Sequence, residues 1–364
     1  MERNKILTII IPTYNMEQYL RKCLDSLIVS EENMQRLEVL VVNDGSKDSS
    51  SAIGHEYEAK YPQTFRVIDK ENGNYGSCVN RGLKEATGKY VKVLDADDYF
   101  DNRVFDDFIS FLNDVDVDLV ISDFNVVDEV GNCLSEITFN LPTNSTFKLA
   151  DIPTEMNTLL IHHCITYKKD VFNRFKYIQT EGISYTDDEW VFKPMLWVEN
   201  VLYYPHTLYL YLRGREGQTF DPKVVQRTLE QRIRVFKEMV SFYKTNISSC
   251  LIDNKSFVSD RLVGRLVSVY NYHLILFPSS ANRERIKSFD NHLKVLVPDI
   301  FKQLYKVKSK KGWCYIKQWR SFGYSLWTPE LLAMRIKRII KRSLGESDVQ
   351  IDRIPNHLRR KVIN

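Results

Sequence analysis

Two short acidic segments, Asn43-Asp44-Gly45-Ser46 and Leu94-Asp95-Ala96-Asp97-Asp98, each follow an apolar run of strand type, and the chain opens on Ile9-Ile10-Ile11-Pro12-Thr13-Tyr14-Asn15. Carboxylates at the ends of adjacent buried strands fall in the crevice where open α/β sheets bind ligands. Clustered oxygen donors there suit a hard divalent cation, Mg2+ or Mn2+, that neutralises a diphosphate. Asp95 and Asp97 are two residues apart, so an extended segment turns both to one side. One can coordinate the cation while the other holds a ribose hydroxyl or a metal-bound water, with Asp98 in support. Asp44 precedes a glycine that permits a tight turn, and its carboxylate can accept the ring N–H of a pyrimidine base. Each segment alone also reads as an ordinary turn, Asp44 capping the helix after Ser46 and the Asp-x-Asp loop capping one near Phe105.

A third acidic group, Tyr185-Thr186-Asp187-Asp188-Glu189-Trp190, is flanked by aromatics. A partly desolvated carboxylate gains proton affinity, as a general base requires. The same acids would equally answer a helix dipole in its first turn. Downstream, Tyr211 to Gln218 combines Arg213 and Arg215 with two glycines, which suits either a loop closing over a diphosphate or an exposed basic loop. His162 and His163 are adjacent and cannot face one way on a regular element, so no metal site is assigned to them.

The elements that must position these residues alternate. Leu7–Ile11, Leu37–Val42, Phe65–Ile68 and Tyr90–Leu94 read as strands, with helices at Met16–Val29, Ser46–Lys60 and Ser77–Ala86. Leu119–Ser122 is a further strand, and residues 128–153 form a loop or small hairpin. From Val224 the periodicity is helical. The expected architecture is a doubly wound, mostly parallel α/β sheet over residues 1–220, then a helical domain over 221–364.

The 364 residues carry a net charge of +4, but from Phe301 onward there are 16 Lys+Arg against 4 Asp+Glu. A basic tail meets an anionic partner, a membrane surface or nucleic acid, and no recognition motif supports nucleic acid. Glu330–Leu344 sets Leu332, Ile336, Ile339 and Ile340 on one helical stripe among Arg335, Lys337, Arg338, Lys341 and Arg342. That pattern fits a helix lying in a lipid headgroup layer, or a helix docked on its own protein with its basic side in water. The six scattered cysteines imply reduced thiols, and the start lacks the features of a signal peptide, so a cytoplasmic chain is expected.

With these pieces in order, residues 6–218 resemble the family 2 glycosyltransferases, inverting enzymes of the GT-A fold. The resemblance is carried by Ile11-Pro12-Thr13-Tyr14-Asn15 with Glu17, by Asn43-Asp44-Gly45-Ser46 with Asp48, and by Gly88-Lys89-Tyr90 through Asp98. It implies that Pro12, Tyr14 and Glu17 flank the nucleoside and that Asp44 reads the base. It implies Asp97 as the direct metal ligand, with Asp95 beside it on metal or nucleotide. It places the catalytic base at Asp187, with Asp188 the rival. The stretch Glu71-Asn72-Gly73-Asn74-Tyr75-Gly76-Ser77-Cys78-Val79-Asn80-Arg81 departs from many relatives, because Val79 replaces a basic residue before the Asn. Asn72 and Ser77 are assigned to the nucleotide there, and Arg81, Lys92, Arg213 or Arg215 is expected to supply the missing diphosphate contact. The implied partners are a nucleotide sugar, UDP-linked, and a glycan or lipid-linked glycan acceptor of bacterial surface polysaccharide. Two rivals remain: a sugar-nucleotide nucleotidyltransferase, disfavoured because Thr13–Glu17 lacks a glycine-rich basic loop, and a non-catalytic nucleotide-sugar-binding module associated with a membrane.

Overall fold

Four buried runs, β1 (Leu7–Thr13), β2 (Leu37–Asn43), β3 (Phe65–Asp69) and β4 (Tyr90–Val93), pair in parallel in the order β3-β2-β1-β4. Ile9, Ile10 and Ile11 of β1 are wholly buried, each contributing about 1.5–3 kcal/mol by leaving water. The helices α1 (Glu17–Asp25), α2 (Glu31–Arg36), α3 (Ser50–Lys60) and α4 (Asn74–Glu85) connect these strands. Because β1, β2 and β4 are parallel, their carboxyl ends, and so Tyr14, Asp44 and Asp95, lie along one edge of the sheet. The computed structural model describes residues 5–143, 145–214, 222–309, 312–343 and 359–360. The chain divides into two compact units, Met1–Glu216 with Ile354–Asn364, and Gly217–Arg353.

Beyond β4 the sheet becomes mixed. After the two-residue β5 (Tyr99–Phe100) and helix α5 (Asn102–Asp114) come β6 (Leu119–Val127), β7 (Cys133–Ile137), β8 (Ile165–Lys168) and β9 (Val201–Leu212). β8 runs antiparallel to β4 and β6, β6 and β7 form a hairpin, and β9 pairs parallel with β6 and antiparallel with β5. The sequence reading assigned no strand to β8 or β9. Pro205 sits in the middle of β9, and a proline cannot donate to a ladder. The chain accommodates it in a bulge: Ser122 pairs with Tyr204 and Asp123 with Thr207, leaving Pro205 and His206 exposed outside the ladder.

α4 starts three residues earlier than periodicity suggests because Asp44, remote in sequence, caps it. The Asp44 carboxylate accepts the backbone N–H of Gly73 and of Asn74, each at 2.9 Å. One face of α4 then holds the segment that leads to the third acidic group. Asn80 accepts Gln179 N–H and donates to Gln179 O and Glu181 Oε1, all at 2.8 Å. Gly76 lets the two backbones touch, since a Cβ there would lie 2.0 Å from the Thr180 carbonyl oxygen.

In the second unit, helices α7 (Leu229–Asn246), α8 (Asn254–Asn271) and α9 (Ser280–Leu296) share an apolar core that includes Met239, Leu262, Leu266 and Phe289. α8 continues into a π-type turn at Tyr272–Leu276. The buried pair Arg320–Asp290 is the polar centre of this unit, with the guanidinium 3.8 Å from the Phe301 ring centroid. Among the described residues no helix is long and apolar enough to cross a membrane.

Gly76→Ala should separate α4 from Thr180; hydrogen exchange at the Gly182 amide, which donates to Gly73 O at 2.8 Å, is expected to speed up while exchange in β1 and β2 is unchanged. Asp101 caps α5 by accepting Arg103 and Val104 N–H, each at 3.1 Å. Asp101→Ala should lower stability by about 0.5–2 kcal/mol in urea titration, and Asp101→Asn should recover most of it.

Candidate active site

The turn after β4 sorts its three acids by environment. Asp98 is buried, accepting Tyr209 O–H at 2.6 Å and Leu212 N–H at 2.7 Å, and burial with the neighbouring Asp97 and Asp95 charges pushes its pKa well up. It ties this turn to the end of β9 and has no capping role, which Asp101 takes instead. Asp95 is partly exposed; its Oδ1 accepts Tyr75 O–H at 2.9 Å, and its Oδ2 lies 3.0 Å from His162 Nε2. Asp97 is also partly exposed, and carboxylate oxygens of Asp95, Asp97 and Asp98 lie within 4.8 Å of one another. With Asp98 spent on β9, Asp97 and Asp95 offer hard oxygen donors at the crevice, and that donor set fits Mg2+ or Mn2+.

His162 and His163, to which the sequence reading assigned no metal site, stand beside this turn. They lie on a single 3-10 turn, His162–Cys164, not on a regular element, and their ring centroids are 4.0 Å apart. Both have a ring nitrogen within 4.8 Å of an Asp95 oxygen. Burial would lower the His162 pKa, but the Asp95 and Asp187 charges outweigh it and hold the imidazole above its ordinary value. His163 is pushed well down by burial and by its charged neighbours, stacked against Tyr209 and close to Tyr211. Lys92 explains why the turn sits there. Wholly buried in β4, it donates to His163 O at 2.7 Å and Ile165 O at 3.1 Å, and burial brings its pKa down to about 7. Lys92 is therefore not available to a diphosphate, contrary to the expectation from sequence. Arg81 pairs with Glu85 along α4 at 3.0 Å.

The third acidic group opens helix α6 (Asp187–Phe192). Its acids also divide. Glu189 is fully buried, 2.6 Å from Lys193 Nζ, and accepts Thr180 N–H at 3.0 Å. Asp188 is buried, whereas the Asp187 side chain is 36% exposed and its Oδ2 lies 3.9 Å from His162 Nδ1. Trp190 anchors the helix by stacking on Phe172, with ring centroids 5.0 Å apart. One imidazole thus stands between the acid turn after β4 and the acids of α6.

Around Asp44 the structure is more closed. Besides the α4 amides, Asp44 Oδ1 takes Lys70 Nζ at 2.5 Å, so Oδ1 accepts two hydrogen bonds and Oδ2 accepts the Asn74 N–H. Ser77 Oγ accepts from the same Lys70 at 2.9 Å and donates to Asn74 O, and Asn72 donates to Asp44 O at 3.0 Å. Glu17 Oε2 accepts Ser49 N–H and Asp48 accepts Glu17 N–H, which locks the loop after β1 to the loop after β2. Pro12 lies within β1, opposite Val42. A cleft of about 490 Å3 opens here, lined by Tyr14, Asn43, Gly45, Lys47, Asp69, Lys70, Glu71 and Asn72. Gly45 has φ +72°, and a Cβ there would lie 3.3 Å from Asn72 N. Arg213 follows Leu212 directly and is half-buried; Arg215 lies outside the described residues. Tyr75, His162 and Lys70 were not assigned from sequence. Only the glycine-rich stretch 71–77 marked the region of Tyr75, and His162 had no periodic signal.

Residues 8–175 match the family model described as "Glycosyl transferase family 2". Among curated proteins, the minor teichoic acid biosynthesis protein GgaB of Bacillus subtilis is 32% identical over 179 residues, 48% of this chain and 19% of GgaB. The uncharacterized glycosyltransferase MG025 of Mycoplasma genitalium is 44% identical over 102 residues, 28% of this chain and 34% of that protein. The match thus spans 19% of the length of GgaB and 34% of that of MG025. Among solved structures, S. aureus TarS 1–349 in complex with UDP-GlcNAc has a TM-score of 0.66 at 17% identity, covering 94% of this chain and 92% of that one. The likeness extends past the matched residues and shows a GT-A-like fold. Residues 8–175 thus carry the match to glycosyl transferase family 2, on a GT-A-like fold shared with TarS.

Proposed function

We propose that the protein is a metal-dependent inverting glycosyltransferase that moves a sugar from a UDP-linked donor to a hydroxyl of a glycan or lipid-linked glycan in bacterial surface polysaccharide synthesis. The reading sets it on the cytoplasmic side, in peripheral contact with the inner face of the plasma membrane. The observation that carries it is the meeting of two acid motifs at one imidazole, Asp95 at 3.0 Å from His162 Nε2 and Asp187 at 3.9 Å from Nδ1. The UDP-GlcNAc named with TarS and the teichoic acid synthesis named with GgaB support the donor and the acceptor class.

In this reading Tyr14 and Asn72 line the nucleoside cleft, and the Asp44 carboxylate takes the base N–H. Asp97, with Asp95, holds Mg2+ or Mn2+, which when bound supplies positive charge against the departing diphosphate. Asp187 is the base in preference to Asp188, because its carboxylate reaches the crevice while Asp188 is buried. Asp187 takes the acceptor hydroxyl proton as that oxygen attacks the anomeric carbon from the face opposite the diphosphate, so configuration inverts. Tyr75 and His162 keep Asp95 from swinging away. In the same reading Arg213, which directly follows β9, supplies the diphosphate contact that Val79 leaves without a cation.

The test is turnover of UDP-sugars with Mn2+ over a panel of glycan and lipid-linked acceptors. Asp187→Asn should cut kcat by about 100-fold or more with UDP affinity kept. Asp97→Asn should abolish the metal dependence of UDP binding. Pyrophosphate exchange without transfer would indicate a nucleotidyltransferase, and UDP binding without turnover on any acceptor a binding module.

A further inference from the structure

The C-terminal helix α10 (Pro329–Ser343) is turned the opposite way from an ordinary amphipathic helix. Arg335 and Arg338 face the protein. Arg335 donates to Leu274 O at 2.9 and 2.6 Å and to Leu326 O at 2.8 Å, and Arg338 to Ile275 O at 3.1 Å and Leu276 O at 2.6 Å. These carbonyls close the π-type turn Tyr272–Leu276, whose end would otherwise leave acceptors without donors. With Leu331 buried as the apolar anchor, the rotation fixed by the two arginines leaves Ile336, Ile339 and Ile340 at 57%, 66% and 53% exposure.

Spacing of three and four residues puts those isoleucines on one face. Lys337 and Lys341 are exposed beside them, and residues 331–343 contain five basic and no acidic side chains. Trp327, in the turn that leads into the helix, is 74% exposed. A contiguous apolar stripe in water marks a contact surface. Its lysine border is the pattern of a helix that lies flat at a bilayer surface, with apolar side chains among the acyl boundary and cations at anionic headgroups. A second copy of the chain seated on the same face would bring lysines against lysines.

We propose that this face of α10 docks on an anionic lipid surface. It specifies the membrane contact of the proposed function and does not depend on the chemistry at the acids. The test is sedimentation of the full chain with vesicles of phosphatidylcholine alone, and with about 30 mol% phosphatidylglycerol added. Binding is expected to the anionic vesicles only and to weaken as salt is raised. Ile336→Glu with Ile339→Glu should reduce it by about tenfold or more. Lys337→Glu with Lys341→Glu should remove the preference for anionic lipid, and Ile336→Ser with Ile339→Ser should give an intermediate loss. Unchanged helical circular dichroism and UDP affinity in these variants would exclude misfolding. Equal binding to both vesicle types, unaltered binding by the isoleucine variants, or a solution dimer that Ile339→Glu dissociates would overturn the proposal. Loss of UDP binding by the parent chain, with vesicle binding intact, would overturn the catalytic reading and leave this one standing.

Discussion

A buried imidazole beside carboxylates is the interaction on which the crevice depends. Like charges about 4 Å apart near a protein surface repel by about 4 kcal/mol, and three aspartates share the turn after β4. The site tolerates this because His162 is held above its ordinary pKa beside Asp95, because Tyr75 donates to the other Asp95 oxygen, and because Asp98 is spent inside the protein. The position of His162 depends in turn on Lys92, whose buried amine holds His163 O in the 3-10 turn and Ile165 O at the start of β8. A lysine that looks like a phosphate ligand in sequence is in fact the support beneath the site.

The acid groups after β4 and at the start of α6 follow one arrangement, in which one carboxylate is consumed to hold the architecture and a neighbour is left at the crevice, while the single acid Asp44 is used largely for the architecture. Asp98 binds the end of β9, Glu189 binds Lys193 and the Thr180 amide, and most of the Asp44 carboxylate caps α4. A buried acid that accepts from fixed donors is a rigid support, because releasing it would leave those donors unpaired at about 1–3 kcal/mol each. Asp95, Asp97 and Asp187 are thereby presented on fixed backbone.

The parallel half of the sheet and the acids at its edge were legible because β1, β2 and β4 are continuous apolar runs that end in polar turns. β9 was not, since Pro205 argues against a strand unless the ladder is known to skip it. The early start of α4 was hidden because its cap, Asp44, comes from another loop. His162 was invisible for a related reason: adjacent histidines share a site only on an irregular turn, and that turn is fixed by a lysine on a neighbouring strand. What sequence concealed here are long-range hydrogen bonds, which leave no local pattern.

Asp98 fastens both Tyr209 and the Leu212 amide, so β9 delivers the chain to a point beside the acid turn whatever comes after it. The exit of the chain from the sheet is thus anchored by the same buried carboxylate that braces the acid turn, so the pedestal of the acids and the point where β9 ends are set by one residue.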